Sequence, residues 1–293
     1  MPKFSFIFNP HSGFNRRRPA YIGKVRAWIA DTGLDAEFAT TERPHHATEL
    51  ARDAVRRGCE RIVAIGGDGT LNEVACGVVN TPAAFGLIPC GSGNGLGRHL
   101  GVHGSLRKAL DIVRDGRIRE IDSGIAGEHR FFNAMGVGFD AEIARRFNEL
   151  PSRGLRAYVR TGWRTYFGYS PETYSVGHHG SAPTAHTAFI VAVMNSDQYG
   201  NNARVAPGAV VDDGRLDLVA IPPMGLARSA LFVTRLFGGD VRRQRGVHSA
   251  QGGAFTIRRA APGVIHVDGE TRHAGAEIEV RIDPRSLRFL VPA

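Results

Sequence analysis

Cysteine is scarce in this 293-residue chain, which holds only Cys59, Cys76 and Cys90. An odd number with no CxxC pair argues against a disulfide framework or a zinc site, and a reducing cytosol fits such usage. Long apolar runs are missing too. The longest, AFIVAVM at residues 188–194, falls far short of the ~20 residues that cross a bilayer as a helix, so any membrane contact is expected to be peripheral. The opening MPKFSFIFNP lacks the apolar core and small-residue cleavage site of a signal peptide and reads as a strand ending in a turn. Lysine is almost absent: Lys3, Lys24 and Lys108 stand among 37 basic residues, the rest arginine. Acidic residues number 28, leaving a net charge of +9. Such a balance favours anionic partners: nucleic acid, phosphorylated small molecules or an anionic membrane surface. No nucleic-acid motif accompanies the charge, so nucleic acid is not expected as a partner. The adjacent pairs His45–His46 and His178–His179 do not face one ligand site, and no metal is assigned to them.

What is present is pattern. Hydrophobic residues make up 42% of the chain, ample for one large or two ordinary domains. Over the first 120 residues strand and helix signals alternate. Phe4, Phe6 and Phe8 alternate as in a short strand; Ile22, Val25 and Ile29 share a helical face that Gly33 closes. LDAEFAT, RIVAIGG and AFGLIPCG read as further strands. Helices are marked by Leu50, Ala54 and Val55, by Leu71, Val74 and Val78, and by Leu106, Leu110 and Val113. The alternation predicts a parallel, doubly wound sheet. After residue 120 short β-type runs take over: REIDSGIA, HRFFNAMGV, TYSVGHH, HTAFIVAVM, RLDLVAI, GAFTIRR, GVIHVDGE, AEIEVRI and LRFLVP. They predict an antiparallel sandwich or barrel-like domain, with helices at 140–149, continuing to about 167, and at 225–237.

Three glycine-rich turns follow strands of the first half: NPHSG (9–13), GGDG (66–69) and PCGSGNGLG (89–97). By strand order all three open at one edge of the sheet, where ligands bind in open α/β folds. Glycines let a ligand approach the backbone, and a following helix directs free N–H groups at an anion. An aspartate in such a turn repels bare phosphate unless it holds magnesium or orients a donor. There is no GxxxxGK[ST], which excludes a Walker-type loop. GSGNGLG misses the final glycine of the dinucleotide fingerprint, and GVGFDA (136–141) matches it without the acidic residue about 20 positions on.

Together these stretches resemble the catalytic domain shared by diacylglycerol kinases, sphingosine kinases and bacterial soluble lipid kinases. GGDGTLNEV is similar to the family signature, NPHSG to its first nucleotide loop, TERPHHA (41–47) to its second-strand threonine motif and PCGSGNGLGRHLG to its third nucleotide motif. GVGFDAEI, NSDQYGNNARVAPGAVVDDGRLDLV and VDGE follow in family order. The resemblance implies two domains: an N-terminal α/β domain of the phosphofructokinase/NAD-kinase type, residues 1–122 completed by 284–293, and a C-terminal antiparallel β-sandwich, residues 123–283, for the lipid substrate. ATP would lie in the cleft between them.

Carried over position by position, Asn9, Pro10, Ser12 and Gly13 would contact nucleotide phosphates, and Thr41 would line the nucleotide site. Gly66, Gly67, Asp68, Gly69, Thr70, Leu71, Asn72 and Glu73 would wrap the phosphates, with Asp68 organising Mg2+ and Thr70 donating through its hydroxyl. Gly91, Ser92, Gly93 and Asn94 would complete the cradle. DDGRLD resembles a structural magnesium loop, with Asp213 binding through its carboxylate and Val210 and Arg215 through carbonyls; Asp122 matches an aspartate of the ion–water network. The DGE at 268–270 resembles the catalytic acidic motif, with Glu270 or Asp268 as general base. Asp140 corresponds to the residue by which sphingosine kinases hold the lipid head group. One departure stands out: Gly95 replaces the aspartate of the diacylglycerol kinase pattern GTxND, and GSGNG is closer to the GSGNA of sphingosine kinases. A mechanism needing a carboxylate at 95 is not carried over, and the balance moves toward a non-diacylglycerol lipid.

The implied activity is ATP- and Mg-dependent phosphorylation of a lipid hydroxyl, on diacylglycerol or a related lipid alcohol. A sphingoid base or another long-chain lipid is the alternative acceptor. NAD kinase shares the GGDGT turn, but the NPxSG loop and YGNNARVAPGA…DDGRLD speak against it. A non-catalytic nucleotide-binding module is opposed by the intact VDGE and DDGRLD motifs. A cytoplasmic protein in peripheral contact with anionic membrane is expected, with FNRRRP (14–19) as one contact. Phe139, Leu155, Tyr158, Trp163 and Tyr166 are candidates for an acyl-chain cleft or, equally, for ordinary core. A homodimer is left open.

Overall fold

The computed structural model describes residues 2–12, 15, 20–91, 93–148, 162, 165, 166, 168–178, 181–238 and 240–293. Gly13, Ser92, Leu155, Tyr158, Trp163 and all of FNRRRP except Asn15 lie outside the described residues. The chain divides into two compact units, Met1–Ile121 with Arg285–Ala293, and Asp122–Pro284.

In the first unit β1 (Phe4–Phe8), β2 (Ala36–Thr40), β3 (Arg61–Gly66) and β4 (Ala84–Pro89) pair in parallel in the order β2-β1-β3-β4. The end of the last strand, β16 (Glu277–Val291), lies parallel beside β4, with Phe289 opposite Phe85. Helices α1 (Ala20–Thr32), α2 (His46–Arg56), α3 (Asp68–Val78), the short α4 (Gly95–His99) and α5 (Leu106–Asp115) connect the strands. Phe4, Phe6, Val63 and Ile65 pack with Val25 of α1 and with Ala109, Leu110 and Val113 of α5. The alternate positions Ile7, Ile62 and Ala64 are equally buried. Burial on both faces is why RIVAIGG is apolar without alternation. Gly77 lets α3 lie close to α2: a β-carbon there would fall 2.5 Å from that of Ala51.

The second unit is a sandwich. One sheet orders β6 (His129–Phe131), β5 (Arg117–Ala126), β16, β13 (Ala254–Arg258), β8 (Glu172–His178) and β9 (Thr184–Ala188). The other orders β12 (His248–Gly252), β11 (Leu216–Ile221), β10 (Ile190–Met194), β7 (Ala134–Gly138), β14 (Gly263–Val267) and β15 (Glu270–Ala274), all antiparallel. Phe131, Tyr174, Phe255, Ile257 and Ile278 of the first sheet meet Met135, Val137, Val191, Leu218 and Ile265 of the second in one core. Helices α6 (Phe139–Asn148) and α7 (Leu226–Gly238) complete the unit. Phe232 and Leu236 of α7 cover Ala192, Met194, Val219 and Ile221 on the second sheet's other side.

Two strands, β12 and β15, were not expected. Both are edges of the six-stranded sheet, and HSAQG and ETRHA carry no apolar alternation because little of either is buried. AEIEVRI and LRFLVP read as two strands but form one, β16. The DPRS between them bends the strand, with Arg285 at φ 50°, and does not reverse it.

Candidate functional site

The first unit's sheet has its switch point at β1, which pairs with both β2 and β3, so connections leave it in opposite directions. Ligand crevices form at the carboxyl ends of strands at such a point. Three turns stand at these ends, after β1, β3 and β4. The β3 and β4 turns touch backbone to backbone: a β-carbon on Gly91 would lie 2.8 Å from the Gly67 Cα and 2.6 Å from the Asn94 Oδ1. Only glycine allows that approach. Asn94, in a left-handed conformation at φ 49°, closes its own turn by accepting from the Gly91 N–H (3.0 Å) and donating to the Gly91 carbonyl (2.8 Å).

Asp68 joins the two turns. Its carboxylate accepts from the N–H of Asn94 at 3.0 Å and of Gly95 at 3.1 Å. Those are the first amides of α4, so Asp68 caps a helix other than its own. α3 itself starts at Gly67, which supplies no side-chain cap. Its first-turn N–H groups have no intrahelical acceptor, the arrangement that lets a helix start receive an anion. The β1 turn is fastened to the same helix, since the Asn9 side-chain amide donates to the Thr70 hydroxyl at 3.2 Å. Buried Asn15 donates to the Asn9 carbonyl at 2.8 Å. Ser12 Oγ is buried without a partner among the described residues. Thr41, also buried, donates its N–H to the Phe8 carbonyl at the end of β1.

Glu73 is placed differently. Its two carboxylate oxygens accept from the N–H groups of His45 (3.1 Å) and Ala47 (3.3 Å) at the start of α2, so the side chain that the motif assigns to phosphate wrapping braces a neighbouring helix.

In the second unit the VDGE turn follows β14. Asp268, at φ 49° and 6% exposed, accepts from three consecutive backbone N–H groups: Phe132 through Oδ2, Asn133 and Ala134 through Oδ1, all at 2.9 Å. Glu270 opens β15, half-buried, and its carboxylate has no hydrogen bond among the described residues. The two acids are therefore not equivalent: the backbone engages the carboxylate of Asp268, and no described residue engages that of Glu270. Asp140 is buried on α6, where Oδ2 accepts from the Tyr199 hydroxyl (2.6 Å) and lies 3.0 Å from His266 Nε2. Gly136 makes room for this cluster, because a β-carbon there would strike both Asp140 and His266. His266 and Tyr199 had no signal in sequence, being 126 and 59 residues from Asp140. Phe139 and Tyr166 do meet, edge to face at 6.3 Å, and Phe189 joins them at 4.1 and 5.5 Å.

Fully buried Asp122 accepts the Gly214 N–H at 2.8 Å, and its own N–H donates to the Val211 carbonyl. Asp213 accepts the Arg215 N–H at 3.0 Å, and Val210 is exposed beside it. The DDGRLD loop is thus held by carboxylates that accept backbone N–H groups and by one backbone hydrogen bond to its start. Among the described residues no three His, Cys, Asp or Glu side chains converge as ligands of a metal ion. Magnesium asks for no such cage: it keeps its waters and takes one or two carboxylates together with phosphate oxygens. Asp68, a carboxylate held by the amides of Asn94 and Gly95 beside the uncapped start of α3, is of the type that such a donor set uses.

Comparison with known proteins decides the family. The diacylglycerol kinase catalytic domain matches residues 3–126, and the YegS C-terminal NAD kinase beta sandwich-like domain matches residues 133–291. The chain belongs to the diacylglycerol kinase family. Within that family it is 27% identical over 280 residues to the "Diacylglycerol kinase" of Bacillus subtilis, covering 92% of this chain and 90% of that one. It is 30% identical over 209 residues to "Probable lipid kinase YegS-like" of Chromohalobacter salexigens, covering 68% and 65%. A crystal structure titled as a diacylglycerol kinase from Bacillus anthracis superposes with a TM-score of 0.73 over 99% of this chain and 96% of that one; at 17% identity it speaks for the fold alone.

Proposed function

We propose that this family member is an ATP- and Mg-dependent lipid kinase that transfers the γ-phosphoryl group of ATP to the hydroxyl of a lipid alcohol. Diacylglycerol is the first acceptor to test, and a sphingoid base or other long-chain alcohol the alternative that Gly95 favours. The observation that carries the reading is the uncapped start of α3, framed by the glycine turns that Asp68 and Asn9 hold in place. Backbone N–H groups fixed in this way stabilise phosphate charge without reorganising. Magnesium, held from the protein side by Asp68, would neutralise charge on the phosphate oxygens as the bond to ADP breaks. Glu270 would accept the proton of the attacking hydroxyl, while Asp268 fixes the loop before it. Asp140, with Tyr199 and His266, offers a polar end to a lipid head group.

The test is incubation of the purified chain with γ-labelled ATP, Mg2+ and detergent-dispersed diacylglycerol, monoacylglycerol, ceramide or sphingoid base, followed by thin-layer separation. One labelled phospholipid is expected, and its loss in Asp68→Asn and Glu270→Gln. No label in any lipid would sink the proposal, and label passing to NAD+ in a parallel incubation with that acceptor would replace it with a dinucleotide kinase.

A further inference from the structure

Helix α7 presents an apolar stripe that no described residue covers. Phe232 and Leu236 face inward onto the second sheet, and Ser229 lies 3.1 Å from the Tyr166 hydroxyl. Leu226, Ala230, Val233 and Phe237, spaced by four, three and four residues, form one row along an adjoining face. All four are exposed: Leu226 by 59%, Val233 by 50% and Phe237 by 49% among the larger ones, with Leu231 exposed beside them. Such a row is the sort of feature that marks an interaction surface rather than a scattered surface leucine.

The segment that holds it is mostly basic, with Asp217 close to Arg242 at its edge. Between Leu218 and Ala250 the sequence carries Arg228, Arg235, Arg242, Arg243 and Arg245 against a single acid, Asp240, which is itself paired with Arg242 at 2.9 Å. The turn Val241–Arg243 and the residues after it are fastened to α7. The Arg228 guanidinium donates to the Arg245 carbonyl, and that of Arg235 to Gln244 Oε1 at 2.7 Å. Arg243 and Arg245 remain exposed. At about 100° per residue Arg228 and Arg235 stand on the flank of α7 opposite the row, so the outward face, which carries exposed Leu231, runs between the row and the arginines. A second copy of the same surface would bring arginine against arginine, whereas a layer of phosphate headgroups over acyl chains meets the row on one flank and the arginines on the other.

We infer that α7 and the adjoining arginine turn dock on an anionic lipid bilayer. Leu226, Val233 and Phe237 enter the headgroup–acyl boundary, and Arg228, Arg243 and Arg245 meet lipid phosphates. The inference rests on the lipid-kinase reading for its choice of occupant, a bilayer that carries the acceptor.

Sedimentation of the full chain with phosphatidylcholine vesicles, with and without one-third phosphatidylglycerol, tests it. Binding is expected on the anionic vesicles and should weaken as salt is raised. Val233→Asp with Phe237→Asp should reduce partitioning more than about tenfold. Arg243→Ala with Arg245→Ala should reduce it roughly 30-fold at low ionic strength. The arginine pair is solvent-exposed, so circular dichroism should find that variant folded even if the aspartate pair is not. Phosphorylation of a short-chain, detergent-dispersed acceptor should be unchanged in both variants, while phosphorylation of a vesicle-embedded acceptor falls. Wild-type protein that ignores anionic vesicles, folded variants that bind as it does, or a change of oligomeric mass on substitution would each overturn the inference. Vesicle binding without phosphorylation of any acceptor would instead overturn the kinase reading and leave docking in place.

Discussion

Replacing Asp268 by asparagine separates two roles that the DGE motif leaves merged. The wild-type carboxylate receives three N–H groups, two on Oδ1 and one on Oδ2. Asparagine keeps the left-handed backbone tolerable and can leave its carbonyl on Asn133 and Ala134, but it turns an NH2 toward the Phe132 N–H. One charge-assisted bond is lost, about 1.5–3 kcal/mol, and the two that remain become neutral and weaker. A cost near 3 kcal/mol follows. Alanine strands all three buried donors at about 1–3 kcal/mol each, which approaches the whole stability of a domain.

Two measurements check this. Urea unfolding of the intact chain should show the second unit's transition shifted down for Asp268→Asn and further for Asp268→Ala. Amide exchange should show Phe132, Asn133 and Ala134 losing protection in Asp268→Asn before neighbouring strands do. If the asparagine variant keeps its midpoint and its protection at 132–134 yet stops phosphoryl transfer, the carboxylate is not a brace, and Asp268 rather than Glu270 takes the proton.

Glu270→Gln should lower kcat by ~10²–10⁴-fold with no shift in unfolding midpoint, because its carboxylate ties down nothing among the described residues; normal turnover would remove it from the chemistry. Glu73→Ala should cost about 1 kcal/mol through the lost cap of α2 and leave the nucleotide KM unchanged; a raised KM at full stability would return Glu73 to the phosphate site. Gly91→Ala must push the β3 and β4 turns apart, costing about 1–3 kcal/mol and weakening ATP binding by calorimetry; wild-type affinity would contradict the close approach. Burial pushes the Cys90 thiol up to about 12 and raises that of Cys59 as well, so at pH 8 a disulfide reagent should label Cys76 first and the other two only on unfolding. Rapid labelling of Cys90 in the folded chain would refute its burial.

The parts of the fold that were legible are those where burial writes a pattern. Val63, Ala64 and Ile65 are buried on both faces, and their unbroken apolar run announces a central parallel strand. HSAQG and ETRHA sit at sheet edges, bury little, and leave no trace in the sequence. The site divides in the same way. Turn glycines are visible because their residue type is rare and their placement after strands is regular. Contacts made across the chain are not: nothing near Asp140 announces Tyr199 or His266, and nothing in GGDGTLNEV shows that its Glu73 reaches back to the amides of His45 and Ala47.

Acidic residues in these loops share one structural habit, and it bears on how such motifs are interpreted. Asp68 takes the amides of Asn94 and Gly95, Glu73 those of His45 and Ala47, Asp268 those of Phe132, Asn133 and Ala134, and Asp122 that of Gly214. A carboxylate is the side chain best suited to gather several N–H groups of a turn that has no strand or helix partner to satisfy them. Loops that must present their own amides to phosphate need such bracing more than others do, since the remaining N–H groups are useful only if held still. The acids of a phosphate-binding motif can therefore persist for rigidity as well as for metal or proton chemistry. Glu270, without a backbone partner among the described residues, is the one whose chemistry is least shared with such bracing.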